Sequence, residues 1–367
     1  MGLGDDIGAY LDERIAAGDV PGAVAVVDEA GRELAAVARG DAVVVPERIA
    51  ATVDTIFDLA SLTKPLATTL LALMAVEAGT IRLDDPAAVY LDEFDREGVR
   101  GITLRHLLTH TSGLPKWVPL YVTPGDPARV VAAIAALPLV APIGADVLYS
   151  DPNFIVLGIA LERATGRTLD ILFDVAVARP LGLASTGFRP EPSARGRIAA
   201  SETGNAYERG MAGELAGDYS AWRTDVVWGE VHDGNAHFLG GVAGHAGLFG
   251  TAREATRLAE QFLPGGALLH EPATLALVRT NFTPGGAEHR SIGWMLASSP
   301  NCSAGPAMPP DAFGHTGFTG TSVWVDPHAR RVVTLLTNRT HPTFASPPMT
   351  TIRRTLNALA AGASLEP

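Results

Sequence analysis

A serine and a lysine stand three residues apart in "LASLTKPLATTLLALMAVEAG" (59–79), and a proline follows at once. A serine hydroxyl is a poor nucleophile at neutral pH and needs a base beside it. Ser61 and Lys64 supply both types. Residues three apart on a helix share a face, and a lysine whose charge is disfavoured by burial can take a proton. The apolar flanks "IFDLA" and "LATTLLALM" fit such burial. The same two residues also make an ordinary helix cap and a solvated surface charge, so the pair alone assigns nothing.

Pro65 narrows the geometry. Its ring carries no N–H and clashes with the carbonyl four residues earlier, which confines it to a helix's first turn. The pattern therefore predicts a helix over 62–78 that begins close to Ser61 and stops at Gly79. Unpaired N–H groups at that helix start would then lie near the hydroxyl.

Two further stretches follow in order. "LYSDPNF" (148–154) offers Tyr149 and Asp151, and "FGHTGFTGTSVWVDP" (313–327) offers His-Thr-Gly just before a strand-like run. Together with Ser-x-x-Lys, these resemble the three signatures of the serine β-lactamase and penicillin-binding-protein superfamily. The likeness is greatest to its class C β-lactamase-like branch, with its family VIII carboxylesterases and DD-peptidases. "LLTHTSGLP" (107–115), "RPLGLASTGF" (179–188), "LGGVAGHAGLFGTA" (239–252) and "LLTNRTHP" (335–342) extend the resemblance over nearly the whole chain.

The resemblance implies an α/β (α+β) fold: an antiparallel sheet flanked by helices plus an all-helical domain, with the site between them. It implies that Ser61 attacks an ester or amide carbonyl and forms an acyl-enzyme, with Lys64 and Tyr149 sharing proton removal and return. Asp151, His315, Thr316 and Gly317 would line the substrate cleft. The backbone N–H groups of Ser61 and Phe318 would form the oxyanion hole, stabilising charge on the carbonyl oxygen.

Two positions depart from the family pattern. Asp151 stands where the second signature usually ends in Asn, and an ionised carboxylate only accepts hydrogen bonds. Facing Lys64, it would favour the ammonium and leave Tyr149 as the better base. Alternatively, Asp151 before Pro152 reads as a helix N-cap. His315 stands where β-lactamases and peptidases mostly carry Lys, and a histidine is mostly neutral near pH 7. That favours neutral esters or amides over substrates bearing a carboxylate.

These groups need a scaffold, and the remaining pattern supplies one. An amphipathic helix at 5–17 precedes a hairpin within 21–40, joined at Glu29–Gly31, and "IFDLA" (56–60) reads as a short strand. Helical periodicity dominates 84–200, with pieces at 103–110, 126–137, 151–166 and 168–182. Residues 190–246 fit no single pattern. Helices near 251–263 and 272–280 precede strand-like runs at 291–297, 321–327 and 331–339 and a last helix at 347–361. Strands at both chain ends predict one discontinuous α/β domain, 1–83 with 240–367, and a mainly helical domain, 84–239.

The 367-residue chain is 47% apolar and 19% charged, a globular composition, and its net charge of −12 argues against a nucleic-acid partner. Cys302 is the single cysteine, so no intrachain disulfide forms. "MGLGDDIGAY" has no basic or apolar leader, and the run at 130–143 is too short to span a bilayer, so the expectation is a cytoplasmic protein without a membrane span. His232, His237 and His245, like His106 and His110, match no zinc spacing, and neither a G-x-S-x-G elbow nor a nucleotide-binding glycine pattern occurs. Trp117, Tyr121, Trp222, Trp228 and Trp294 are pocket or packing residues.

The reading is a metal- and cofactor-independent serine hydrolase acting on a small-molecule ester, amide or β-lactam. D-Ala-D-Ala carboxypeptidase, β-lactamase and a non-catalytic scaffold are the alternatives, and the oligomeric state stays open.

Overall fold

The computed structural model describes residues 2–362. The helix Leu3–Ala16 leads into strands β1 (Gly22–Glu29) and β2 (Arg32–Val43). Ala30 and Gly31 form the turn between them at φ +55° and +82°, the paired positive values that match a hairpin's twist. The later strands are β3 (Ile49–Ala50), β4 (Phe57–Asp58), β5 (Gly187–Phe188), β6 (Leu248–Gly250), β7 (Met295–Leu296), β8 (Phe313–Thr316), β9 (Ser322–Asp326) and β10 (Arg331–Thr337).

Among the described residues, seven strands make an antiparallel sheet in the order β3-β2-β1-β10-β9-β8-β7. Its centre joins the two chain ends, with Ala23 opposite Thr337 and Glu29 opposite Arg331. The continuous apolar run of β1 follows from burial on both faces. Ala23, Ala25 and Val27 pack towards Ile7, Leu11, Ile352 and Leu356 of the terminal helices, Leu3–Ala16 and Met349–Ala360. Val24 and Val26 point into the larger core with Leu66, Leu70, Ala255 and Leu258.

A second, three-stranded sheet, β4-β6-β5, carries the chain into Ser61. The helix Asp151–Thr165 supplies the opposite wall and ends on the left-handed Gly166, φ +69°. Residues 190–246 contain only short helices, Ala206–Ala212 and Gly234–Phe238 among them.

Three expectations change. The strand-like run at 291–297 shrinks to β7, because Ser291–Trp294 forms a tight turn with Gly293 at φ +76°. His315 and Thr316 lie inside a strand, β8, instead of ahead of one. The helix after Ser61 is not regular from residue 62: a short 3₁₀ turn, Ala60–Leu62, precedes a widened turn, Lys64–Thr69, and the α-helix Leu70–Glu77. Pro65 has no N–H to donate and crowds the carbonyl of Ser61, so the first turns cannot close at α spacing.

Candidate active site

Ser61 sits on a constrained turn. Ala60 before it adopts φ +49°, a left-handed conformation that a residue with a Cβ avoids by about 1–2 kcal/mol. Asp58 holds it there. Its Oδ1 accepts the Ala60 N–H at 2.8 Å and its Oδ2 accepts the His232 N–H at 2.8 Å, while Thr63 Oγ1 donates to the Ala60 carbonyl at 2.7 Å. Burial raises the Asp58 pKa, and the two backbone donors resist that rise. Asp58→Ala leaves both donors buried without an acceptor, which costs about 1–3 kcal/mol for each. The expected result is a clear fall in the urea midpoint of unfolding; an unchanged midpoint would contradict the clamp.

Lys64 is fully buried. Its ammonium donates to Ser61 Oγ at 2.9 Å and to the His245 carbonyl at 3.1 Å. It also meets Asp151 Oδ1 at 2.7 Å, an ion pair whose alignment falls short of a hydrogen bond. Burial, the largest single influence, opposes the charge. The Asp151 carboxylate and then Tyr149 outweigh it and hold the Lys64 pKa above the ordinary lysine value. In this state Lys64 is a donor to Ser61 and has no free lone pair. Gly244 lets its loop close over this point, since a Cβ there would lie 2.0 Å from the Phe154 carbonyl oxygen.

The N-cap reading of Asp151 is corrected. Ser150 occupies the N-cap position and its hydroxyl donates to the Pro115 carbonyl at 2.8 Å. Asp151 thus lies one residue inside the helix, where its side chain turns to Lys64. Tyr149 packs its ring 4.9 Å from Lys64 Nζ, 4.6 Å from the ring of His110 and 5.8 Å from that of His315. His110 belongs to "LLTHTSGLP" and supports this segment from behind: its Nδ1 accepts the Ser150 N–H at 3.1 Å. Burial first, then the charges of Arg290 and Lys64, push the His110 pKa well below its ordinary value, so the ring is neutral.

The facing wall is β8. His315 Nδ1 lies 2.9 Å from the Thr316 carbonyl, so the neutral ring donates from Nδ1 and presents Nε2 as an acceptor. Burial, followed by the Arg290 and Lys64 charges, holds its pKa well below the ordinary histidine value. Gly317 allows this strand end to approach the Ser61 turn, because a Cβ there would lie 2.8 Å from the Leu59 carbonyl oxygen. Among the described residues, neither the Ser61 nor the Phe318 N–H is taken by a backbone acceptor.

Ser61, Tyr149, Asp151, His315, Thr316, Gly317 and Phe318 line one cleft of about 460 Å³, with Lys64 buried beneath its floor. Sequence reasoning missed Arg290, Arg339 and Arg353, which line it too. Arg290 Nε donates to Glu288 at 2.9 Å, and Arg339 Nε to the Phe318 carbonyl at 2.6 Å. Burial, with Arg339 adding to it, lowers the Arg353 pKa to about 9. Only the tail of "LLTNRTHP" flagged any of the three. Of the aromatic candidates, Trp117 lines this cleft, Tyr121 and Trp222 line a neighbouring chamber, and Trp294 is fully buried. All three histidines of 232–245 already have carboxylate partners: His232 pairs with Glu202 at 3.0 Å, His245 with Asp233 at 2.8 Å and His237 with Glu230 at 3.4 Å. Among the described residues no three His, Cys, Asp or Glu side chains converge as metal ligands, and no helix is long and apolar enough to cross a membrane.

The antiparallel sheet, the helices on its faces and the cleft at the edge of β8 define the β-lactamase and penicillin-binding-protein fold class. The chain belongs to the beta-lactamase family: residues 7–357 match the family model of that description. It is 30% identical over 330 residues to the putative D-alanyl-D-alanine carboxypeptidase of Escherichia coli (strain K12), a match that covers 83% of this chain and 74% of that protein. Two solved structures show the same fold. "EstCE1, a hydrolase with promiscuous acyltransferase activity" superposes with a TM-score of 0.76 at 24% identity, over 97% of this chain and 98% of the other. A class C beta lactamase from Rhodobacter sphaeroides gives 0.71 at 21% identity, over 96% and 98%.

Proposed function

We propose that the protein is a serine hydrolase that cleaves esters or amides through an acyl-enzyme on Ser61. The observation that carries this reading is the contact of Lys64 Nζ with Ser61 Oγ at 2.9 Å, beside Tyr149 and beneath two free N–H groups. Tyr149, acting as its phenolate beside the Lys64 ammonium, takes the hydroxyl proton as Oγ bonds to the substrate carbonyl carbon and the carbonyl π electrons move onto oxygen. The N–H groups of Ser61 and Phe318 receive the negative oxygen. Tyr149 then returns the proton to the leaving group as the bond to it breaks, and water releases the acyl group by the same steps in reverse order. Lys64 stays an ammonium and stabilises charge on both oxygens. His315 Nε2 and Thr316 accept and orient the substrate. In this reading residues 1–83 with 240–367 form the sheet-bearing lobe and 84–239 the helical one.

The neutral His315 supports esters that carry no carboxylate. In a test panel, p-nitrophenyl butyrate is expected to turn over faster than nitrocefin, with a fluorophosphonate adding one label to the wild type and none to Ser61→Ala. Faster nitrocefin hydrolysis would reverse this ranking, and equal labelling would sink the acyl-enzyme. A chelator is expected to leave the rate unchanged. The arginines in the cleft favour a second reading, release of D-alanine from a D-Ala-D-Ala peptide, the reaction in the name of the E. coli relative. Amino-acid analysis of that digest decides it.

A further inference from the structure

Of the carboxylates that line the cleft, Asp151 faces Lys64 at 2.7 Å, Asp233 pairs with His245 at 2.8 Å, and Glu288 accepts from Arg290 Nε at 2.9 Å. Glu208 also lines it, yet among the described residues no cation pairs with it. Its Oε2 accepts the Gly234 N–H at 2.8 Å and Asn205 Nδ2 at 3.4 Å, while its buried Oε1 has no hydrogen-bond partner. The residue is only 6% exposed. A buried carboxylate without a counter-charge is costly, and such sites await a partner or stay protonated. Burial first and the Asp233 charge second push the Glu208 pKa up to about 7, against the pull of His232, the Gly234 N–H and the neighbouring Tyr121 hydroxyl.

The surroundings are built around this group. A Cβ on Gly234 would lie 2.4 Å from Glu208 Oε1, so the glycine makes room for the carboxylate. The next residues back, Asp233 and His232, tie it to the nucleophile turn through Asp58. Glu208 also borders a chamber of about 270 Å³ walled by Tyr121, Tyr219 and Trp222, whose ring centroids lie 5.0–5.7 Å apart. Aromatic faces of that kind favour a cation. Arg223 enters the same chamber but directs its donors to Asn205 Oδ1 at 2.7 Å and to the carbonyls of Val231 and His232.

Position decides which end of the substrate meets Glu208. Tyr149, which returns the proton to the leaving group, packs with His315 and Arg290. Glu208 lies with Tyr207 and His232, whose rings sit 4.9 Å (tilted) and 5.5 Å (stacked) from that of Phe318. Phe318 also offers an oxyanion N–H, and in this reading the acyl group extends to that side.

We propose that Glu208 is a subsite for a primary ammonium on the acyl part of the substrate, so that the preferred substrates are amides or esters of amino acids with a free amine. The inference rests on the serine-hydrolase reading above. Ammonium binding requires Glu208 ionised, so the preference for a free amine grows as pH rises from about 6 to 8. Asp233, His232, Tyr121, Tyr219 and Arg223 are the titratable and charged groups that face it and shape that rise.

The test compares p-nitroanilides of glycine and β-alanine with their N-acetyl forms at pH 8. The kcat/KM ratio of free-amine to acetylated substrate is expected to be about tenfold or more in the wild type. It should fall to about one in Glu208→Gln and recover in part in Glu208→Asp. Because a ratio is read, a general loss of activity in a variant does not mimic the effect. The β-alanine ratio, whose amine stays charged, should climb between pH 6 and 8. No turnover of either free-amine anilide, a wild-type ratio of one or less, or a ratio unmoved by Glu208→Gln overturns the assignment. p-Nitrophenyl butyrate run in parallel separates the failures: ester cleavage through Ser61 without an amine preference removes only the role of Glu208.

Discussion

Replacing Ser61 with alanine should lower p-nitrophenyl ester hydrolysis by about 10⁴-fold or more, down to what positioning and the oxyanion N–H groups achieve alone. The size follows from the turn on which Ser61 sits. Its hydroxyl is the atom that Lys64 meets at 2.9 Å, and among the described residues nothing else nucleophilic occupies that point in the cleft. The backbone is held from outside the side chain, by Asp58 on Ala60 and by Thr63 on the Ala60 carbonyl. Removing one hydroxyl therefore leaves the turn in place, and the melting temperature should move little. Stopped-flow rates together with a thermal melt check both halves. A Ser61→Ala protein that keeps wild-type turnover, with a fluorophosphonate adduct elsewhere, would falsify the assignment of the nucleophile.

What can be read in the sequence divides along physical lines. Ser61, Lys64, Tyr149 and the His315–Gly317 segment are visible because the chemistry proposed for them demands particular residue types at fixed local spacing. The hairpin at Ala30–Gly31 and the apolar run of β1 are visible because turn and burial preferences are local. Arg290, Arg353 and Glu208 are not, since a lone charged residue looks the same on a solvated surface and in a cleft wall. Only the pairing of chain ends and the folding of 190–246 brings them together.

Pro65 is legible only in part for a similar reason. It locates the start of the helix, but a one-dimensional pattern does not show that a proline one step inside it widens the following turns. Asp151 reads equally as cap and as cleft residue, because a one-residue shift of the helix start exchanges the two roles. Ser150 at the cap settles which.

That shift makes Tyr149 and Asp151 the next pair to test. The folded pKa of Lys64 is raised, so its ammonium, and the stability it contributes, is fully present below the ordinary lysine value and is lost only as pH rises through the higher folded one. Across neutral pH Lys64 has no lone pair for the Ser61 proton, and in the proposed mechanism the work falls to Tyr149. Tyr149→Phe should then cost about 10²–10⁴ in kcat/KM. Asp151→Asn removes the charge that holds Lys64 protonated but leaves its burial, which alone drives the pKa down. In that background a neutral Lys64 amine becomes available, the rate should gain a new rising limb below about pH 10, and the penalty of Tyr149→Phe should shrink. A double-mutant cycle on p-nitrophenyl acetate, followed from about pH 6 to 10, measures that coupling. Equal penalties in both backgrounds would mean that Asp151 does not set which residue accepts the proton. A Tyr149→Phe enzyme as fast as the wild type would return the role to Lys64, despite a carboxylate 2.7 Å from its ammonium.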